Sequence, residues 1–413
     1  MKKRIFLIGF CLCLLLGLCV MLSACGESEK KVLYVYNWGE YISDGSDGTL
    51  NVNEAFEEYC ASLGMDVEVN YSTYSSNEDM YAKISSGAAS YDIIIPSDYM
   101  IDRMISERLL QPLDLRKIPN YADVHPHFKG ENVYYESAAG EGEQYSVPYF
   151  YGMVGVIYNT ELVSEEDAAR ESWDLMLDTD YTGDILQFNN SRDAFGTMMY
   201  YKGYDVNNAT PEQWRDALAL LKEQKNVVQG YVMDEIFNKM QSGSAAVAAY
   251  YAGDFFSMYE DNDSLAFYYP TEGTNSYVDA MCIPSNAQNV DLAHLYINFM
   301  CSEEIACANA EYTYYASPMT TVQENEEYIA YMSEIHEDAM TILYDSAMSV
   351  PTQPYLNLTP EQLTMLNGLW EELKVESSIG TGIYVLCGVI VAALVTFAVA
   401  QFLKHRRWAR LYD

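Results

Sequence analysis

Hydrophobic positions in the first third of the chain follow two different spacings. Alternation at every second residue indicates strands, and apolar residues three or four positions apart indicate helices. A short β-branched run ends at Pro96, which is typical of a buried strand, and Ser97 or Asp98 can cap the helix after it. The predicted strands cover 32–36, 67–74 and 93–95, and the predicted helices cover 50–63, 78–85 and 99–110.

A second set of strands and helices follows an extended segment at 144–159 that is rich in Tyr, Val and Gly. Strand–helix alternation predicts mostly parallel sheets with helices on both faces, and ligands bind beyond the carboxyl ends of such strands. Residues 37–41 and 97–99 occupy those ends in the first set. The second set comprises predicted strands at 184–188, 245–251, 265–269 and 277–283, and helices at 192–201, 212–224, 235–240, 292–301, 303–310 and 361–374.

Residues 1–24 have the pattern of a secretory signal, because three basic residues precede an apolar run. The run ends in Leu-Ser-Ala-Cys-Gly, which resembles the bacterial lipobox. We therefore expect Cys25 to be the lipidated first residue of the mature protein. An uncleaved membrane anchor is the alternative.

A second apolar run, at 379–403, contains no charged residue and is long enough to span a bilayer. The basic residues of 404–413 follow it, and the positive-inside rule places this tail in the cytoplasm. The sequence thus predicts one C-terminal transmembrane helix, with the region before it on the outer face of the cell membrane.

The formal charge of the chain is −37, from 60 acidic residues against 23 Lys and Arg residues. This excess argues against nucleic acid as a partner, because phosphates require basic patches. It weakly favours cationic ligands, and an acidic surface that is simply solvated is the alternative.

Four cysteines fall in the predicted exported region. Their spacing does not fit a zinc site, and two of them lie six residues apart in a predicted helical region, which is a poor spacing for a disulfide. We therefore expect no metal site, and we expect free, buried thiols at Cys60, Cys282, Cys301 and Cys307.

The chain lacks the short motifs of serine hydrolases, zinc proteases and nucleotide-binding enzymes. His125 and His127 flank a proline in a polar loop, with no third metal ligand near them in sequence. These observations predict a binding protein without a cofactor rather than an enzyme.

The segment 36–41, Tyr-Asn-Trp-Gly-Glu-Tyr, places a carboxylate among aromatic side chains at a strand end. Ring faces attract an ammonium group, and a carboxylate accepts charge-assisted hydrogen bonds from it. The combination suits a charged aliphatic amine. The alternative is that Trp38 and Tyr41 belong to the core.

Three blocks of sequence carry a resemblance to a known family: YVYNWGEY at 34–41, YSTYSSNEDMYAK at 71–83 and YDIIIPSDYMIDRM at 91–104. Together they resemble the spermidine/putrescine-binding proteins of bacterial ABC importers. This resemblance implies an α/β, two-lobed periplasmic-binding-protein type II fold that closes on a polyamine. Lobe 1 would then comprise 25–151 and 277–313, and lobe 2 would comprise 152–276 and 314–378.

The same resemblance implies a set of ligand-binding residues. Asn190 stands where the family often has Asp, and Tyr251 and Tyr277 stand where relatives use Trp, so one charge is missing while ring faces remain. Asp98 is an addition of this chain, with a helix cap as its alternative. The expected set is Trp38, Glu40, Tyr41, Asp98, Tyr99, Asn190, Asp193, Tyr251, Tyr277, Asp279, Tyr315 and Gln353.

The resemblance places Glu40 and Asp279 on one lobe and Asp193 on the other, so a diammonium ligand would bridge the lobes and favour closure. We expect a polyamine receptor, leaning to putrescine and spermidine over spermine, that delivers its ligand to ABC permease subunits and their ATPase. The alternatives are a receptor for an amino acid, thiamine or iron, a membrane-tethered sensor, and a glycoside hydrolase that uses Asp193 and Asp279.

Overall fold

The computed structural model describes residues 30–345, 350–375 and 388–401. These residues form a mixed α/β structure in which nine strands are joined by hydrogen bonds. The strands are β1 (Lys31–Trp38), β2 (Val67–Tyr74), β3 (Ile93–Ile94), β4 (Ser146–Asn159), β5 (Ile185–Phe188), β6 (Val228–Val232), β7 (Val247–Tyr251), β8 (Leu265–Tyr268) and β9 (Ser276–Cys282). Their order is β2-β1-β3-β9-β4-β7-β5-β6, and β8 pairs with β4.

Strand β4 divides this arrangement into two sheets because it changes partners along its length. Residues 146–153 pair with β9, and residues 154–159 pair with β7 and β8. The strands β1, β2 and β3 are parallel on one side, and β5, β6 and β7 are parallel on the other. The predicted parallel arrangement therefore holds for the outer strands, whereas β4, β8 and β9 are antiparallel.

Fourteen α-helices connect and cover the strands of the described residues. They are α1 (Val52–Ser62), α2 (Asn77–Ser85), α3 (Asp98–Ser106), α4 (Glu165–Ala168), α5 (Ser191–Tyr201), α6 (Pro211–Gln224), α7 (Glu235–Gln241), α8 (Ala252–Asp261), α9 (Val290–Met300), α10 (Glu303–Thr313), α11 (Thr320–Gln323), α12 (Glu326–Ile335), α13 (Pro360–Val375) and α14 (388–401).

Local signals explain where the helices around the cleft begin. The side chain of Ser76 accepts a hydrogen bond from the backbone of Asp79 at the start of α2, and Asn190 accepts one from Asp193 at the start of α5. Both helices begin within one residue of their predicted starts. Strand β6 and helices α4, α8, α11 and α12 were not predicted. Strand β6 contains a glycine and is largely half-exposed, α8 begins with Ala-Gly, and α4 and α11 have only four residues each.

Large apolar side chains fill the space between the sheets and their helices. Phe56, Trp173, Trp214, Phe255 and Tyr296 are each at most 2% exposed. Burying side chains of this size supplies most of the driving force for folding. The core also contains the four cysteines of the described region as free, buried thiols, which confirms that prediction.

The predicted transmembrane helix at 379–403 is wrong as far as the structure describes this segment. No helix in the described residues is long and apolar enough to cross a membrane. The described part of the segment is α14, which has 14 residues, whereas a span needs about 20. The remainder of the segment lies outside the described residues, as do the predicted signal at 1–24, Cys25 and the tail at 404–413.

Candidate functional site

A cleft of about 790 Å³, a volume that includes its open mouth, lies where the parallel strands of both sheets reach their carboxyl ends. Side chains there point past the end of the sheet, which is the usual place for a ligand in parallel α/β structures. The segments that line the cleft follow β1, β2, β3, β5, β6 and β7, and β9 contributes a further wall.

Eleven of the twelve predicted site residues line this one cleft: Trp38, Glu40, Tyr41, Asp98, Tyr99, Asn190, Asp193, Tyr251, Tyr277, Asp279 and Tyr315. Gln353 is the exception. Its side-chain amide donates to Asp205 at 2.7 Å, and its backbone amide donates to the Thr274 carbonyl oxygen at 3.0 Å. Gln353 therefore serves the packing of neighbouring loops, and we leave it out of the candidate ligand contacts.

Asp279, on β9, has one carboxylate oxygen that accepts a hydrogen bond and one that does not. Its Oδ2 accepts a hydrogen bond from the Tyr41 hydroxyl at 2.7 Å. Its Oδ1 is buried without a hydrogen-bond partner in the described part of the chain. Burial raises the pKa of this carboxyl to about 6, because a charged group loses hydration there. The open oxygen is suited to an ammonium donor.

Asp193, in the first turn of α5, is held by neutral donors. The Tyr251 hydroxyl and the Asn190 amide donate to its Oδ2 at 2.8 Å and 2.7 Å. Burial is again the main reason that its pKa is raised. The Asn190 side chain thus caps the helix with its oxygen and orients the Asp193 carboxylate with its NH2 group. An aspartate at position 190 could still cap the helix, but an ionised carboxylate has no hydrogen to donate to Asp193.

Asp254 is a cleft carboxylate that the sequence analysis missed. It lies in the first turn of α8, directly after the carboxyl end of β7, and its Oδ2 accepts a hydrogen bond from Tyr315 at 2.8 Å. Burial raises its pKa to about 8. Its position three residues after Tyr251 was a usable signal, but α8 had not been recognised as a helix.

Asp98 belongs to the cleft wall, with both of its oxygens already engaged. The backbone amide of Tyr99 donates to Oδ1 at 2.7 Å, and the Tyr134 hydroxyl donates to Oδ2. Burial raises its pKa to about 7. Ser97 occupies the cap position of α3 and Asp98 is the first helical residue, so Asp98 is not the helix cap. Its contacts leave Asp98 less free than Asp279 to meet a ligand.

Glu40 and Asp234 lie near each other at the mouth of the cleft, one beyond β1 and the other beyond β6. Burial and the neighbouring carboxylate together raise the pKa of Glu40. Glu40 also has a positive φ of 47°, which is strained for a residue other than glycine. A Cβ on Gly39 would lie 2.6 Å from Oδ2 of Asp234, so any larger residue at position 39 would displace the Asp234 side chain from this position.

Glu78, in α2, is a further carboxylate that the sequence analysis did not select. Its Oε1 accepts a hydrogen bond from the Tyr99 hydroxyl at 3.0 Å, and burial raises its pKa. Its place in the cleft depends on contact between α2 and α3, which sequence spacing does not show. The cleft therefore contains seven carboxylates: Glu40, Glu78, Asp98, Asp193, Asp234, Asp254 and Asp279.

Aromatic rings surround these carboxylates. Tyr41 and Tyr315 pack edge to face with ring centroids 4.7 Å apart, and Tyr251 and Tyr277 do so at 5.4 Å. Trp38 is fixed by a hydrogen bond from its indole nitrogen to the Ile95 carbonyl oxygen at 2.9 Å. The cleft thus offers ring faces for methylene groups and cations between carboxylate oxygens.

No lysine, arginine or histidine is among the residues that line the cleft in the described part of the chain. Arg192 is buried next to Asp193 in sequence, with its guanidinium 4.4 Å from the ring centroid of Tyr355, and its charge partly offsets the effect of burial on the pKa of Asp193. Within residues 30–345, 350–375 and 388–401, no three His, Cys, Asp or Glu side chains are grouped as a metal site would require. The cleft carboxylates are therefore suited to a ligand that donates hydrogen bonds from positively charged groups.

Known proteins resemble this chain in sequence and structure. Residues 53–333 match the family model for bacterial extracellular solute-binding protein. A spermidine/putrescine-binding periplasmic protein from Salmonella typhimurium is 27% identical over 328 residues, which cover 79% of this chain and 89% of that protein. The putrescine-binding periplasmic protein SpuD from Pseudomonas aeruginosa is 25% identical over 292 residues, with coverages of 67% and 76%.

Among solved structures, the substrate-binding protein PotD of a spermidine/putrescine ABC transporter from Streptococcus pneumoniae superposes with a TM-score of 0.64. It is 31% identical, and the match covers 84% of this chain and 99% of that one. These similarities confirm the family resemblance carried by the three sequence blocks. Together with the mixed sheets, they also confirm the α/β periplasmic-binding-protein fold.

Proposed function

Because the chain belongs to the family of bacterial extracellular solute-binding proteins, we propose that it binds a polyamine in the cleft and delivers it to the permease of an ABC importer. The names of the similar proteins from Salmonella, Pseudomonas and Streptococcus support this ligand class. The observation that carries the proposal is the cleft itself, in which seven carboxylates occur with no lysine or arginine among the lining residues that the structure describes.

The charge distribution explains why the ligand is a cation with several amino groups. Taking an ionised carboxylate out of water is costly unless a donor of positive charge accompanies it. Asp193, Asp254 and Asp279 each receive one tyrosine hydroxyl on one oxygen, and none of them forms a salt bridge with a lysine or arginine of the described residues. An alkyl diamine or triamine supplies the missing charges at separated positions, and its methylenes lie against the tyrosine and tryptophan rings.

Closure of the cleft follows from the same charges. Asp279 belongs to the sheet of β1, β2, β3 and β9, whereas Asp193 and Asp254 belong to the elements that follow β5 and β7. Like charges on the two sides oppose approach, and a ligand that neutralises both sides favours the closed arrangement by its differential affinity. We assign the two sheets to the two lobes, with residue boundaries as predicted from the sequence.

The location of the protein is a further part of the proposal. The similar proteins are extracellular or periplasmic solute-binding proteins, so the chain is an exported transport protein rather than an intracellular one. We propose that lipid on Cys25 attaches it to the outer face of the membrane, because that cysteine follows a lipobox-like sequence. Loss of membrane association in a Cys25→Ser variant would support this assignment, and unchanged association would contradict it.

A panel of ligands tests the proposed function by thermal unfolding of the full chain. Putrescine and 4-aminobutanoate have similar lengths, but the second carries a carboxylate where the first carries an ammonium group. At 100 times its Kd, a ligand stabilises the folded state by about 2.7 kcal/mol. We expect a clear rise in Tm with putrescine or spermidine and none with 4-aminobutanoate, a sugar or ferric iron. A rise with one of the other solutes alone would contradict the proposal.

A further inference from the structure

Asn275 is a cleft residue whose side chain is not explained by the fold. It lies immediately before β9, lines the cleft and is only 3% exposed. Its Oδ1 atom is fully buried and has no hydrogen-bond partner in the described part of the chain. A buried polar atom without a partner costs free energy, so its presence at a binding cleft indicates a partner that arrives from outside.

Two residues of β9, the strand that begins directly after Asn275, also have buried polar atoms without partners in the described residues. Side chains at positions i, i+2 and i+4 of a strand point to one face, with about 7 Å between successive ones. The Tyr277 hydroxyl and Oδ1 of Asp279 are also buried without partners in the described residues. Asn275, Tyr277 and Asp279 therefore form a row of open hydrogen-bonding groups along one wall of the cleft.

Asn275 lies at the junction between the two sheets. Its backbone oxygen accepts a hydrogen bond from Val154 at 3.1 Å, and its neighbour Ser276 pairs with Met153. This is the point where β4 leaves β9 and begins to pair with β7. Asn275 thus lies in the cleft wall where the two sheets meet, with Asp279 on one sheet and the carboxylates after β5 and β7 on the other.

We propose that Asn275 contacts the middle portion of the ligand and thereby selects a triamine over a diamine. This inference rests on the proposed polyamine-binding function. A diamine presents only methylenes at the junction, and these leave the Asn275 oxygen unsatisfied. A triamine presents a secondary ammonium group, whose N–H donates to the amide oxygen, while carboxylates such as Asp279 hold the terminal ammonium groups.

The test compares two variants of the full chain by calorimetric titration with spermidine and putrescine. Asn275→Leu removes the acceptor at similar volume. We expect its Kd for spermidine to rise at least about tenfold, which is about 1.4 kcal/mol, and its Kd for putrescine to change by less than about twofold. The Tm without ligand should stay the same or rise, because the lost oxygen had no partner in the folded chain.

Asn309→Leu is the matched control. Asn309 is fully buried outside the cleft lining, and its Oδ1 accepts a hydrogen bond from the Ser43 backbone at 3.0 Å. This variant should have a lower Tm, with the spermidine-to-putrescine affinity ratio unchanged. If Asn275→Leu lowers Tm in the same way, Asn275 is structural and the inference is wrong.

A third variant, Asn275→Asp, tests the inference independently, in case the leucine variant does not fold. An added carboxylate at the junction should raise the ratio of spermidine affinity to putrescine affinity, because it favours a ligand with charge at its centre. An unchanged ratio in both Asn275 variants overturns the inference while leaving the proposed function intact. Failure of the unmodified chain to bind either polyamine would instead overturn the proposed function.

Discussion

Asp114 on the surface and Asp254 in the cleft show two ways of placing a carboxylate in one molecule. Arg116 donates two hydrogen bonds of 2.8 Å to Asp114, and this pairing lowers the pKa of Asp114 to about 2. Asp254 has a tyrosine hydroxyl as its donor, and burial raises its pKa to about 8. The charge of Asp114 is thus neutralised by an arginine of the same chain, whereas a positive group of a bound ligand has to neutralise the charge of Asp254.

The same contrast extends to the neighbours of each group. Arg170 forms ion pairs with Asp167, Asp174 and Asp178, so one cation serves three surface carboxylates. In the cleft, tyrosine hydroxyls replace such cations. A hydroxyl orients a carboxylate by one hydrogen bond without neutralising it, and it leaves the second oxygen available. The chain contains 37 tyrosines, and some of them serve as these hydroxyl donors to the cleft carboxylates.

The largest effect should follow from Asp279→Asn. This change removes the charge that faces the ligand but keeps the volume and the acceptor for Tyr41. Removing one partner of a buried charge pair costs about 2–5 kcal/mol, so we expect polyamine affinity to fall at least about thirtyfold. The Tm without ligand should be unchanged or higher, because a buried carboxylate with an unpartnered oxygen is lost. Calorimetric titration and thermal unfolding measure the two quantities.

Asp114→Asn is the surface counterpart of that variant. It removes an arginine-paired carboxylate that does not line the cleft, and we expect polyamine affinity to stay as it is. Equal loss of affinity in both variants would mean that the overall negative charge, rather than the cleft, controls binding. A marked fall in Tm for Asp279→Asn would show that Asp279 supports the fold and that the site is misplaced.

The next effect in size is a dependence on pH. Burial raises the pKa values of Asp279, Asp98 and Asp254 to about 6, 7 and 8. Since these values lie above the unfolded value of about 4, the empty folded chain holds more protons than the unfolded chain between about pH 4 and pH 8. Its stability from these groups therefore falls as the pH rises through that range.

Ligand binding should have the opposite trend, because an ammonium group favours the charged carboxylates. We expect polyamine affinity to rise at least about tenfold between pH 6 and pH 8, with protons released on binding. Calorimetry in two buffers of different ionisation enthalpy measures the number of protons. An affinity that is constant over this range, with no proton release, would contradict the raised pKa values.

A smaller effect is expected from Tyr41→Phe. The hydroxyl of Tyr41 donates to Asp279, so its loss removes a hydrogen bond that favours the charged form of that carboxylate. We expect affinity to fall by about three- to tenfold at neutral pH, in line with a hydrogen bond to a charged group. Tyr81→Phe provides the control, because Tyr81 donates to the exposed Glu107 and should leave binding unchanged.

The sequence predicted the fold best where a strong local pattern coincides with burial. Strand β2 has the predicted bounds, and the family resemblance identified ten residues that share the cleft, to which the sequence analysis added Asp98. Asp254 was missed because α8 begins with residues of low helix propensity, so its first turn was not assigned. Glu78 was missed because its burial depends on a neighbouring helix. The apolar run at 379–403 suggested a membrane span that the described helices do not contain.

The most direct test of the account is a calorimetric titration of the purified full chain with putrescine and with 4-aminobutanoate. The account predicts saturable binding of putrescine and no binding of the carboxylated analogue, because the cleft lacks a cation among its described lining residues. Binding of 4-aminobutanoate with no heat from putrescine or spermidine would show that the cleft carboxylates are not compensated by the ligand.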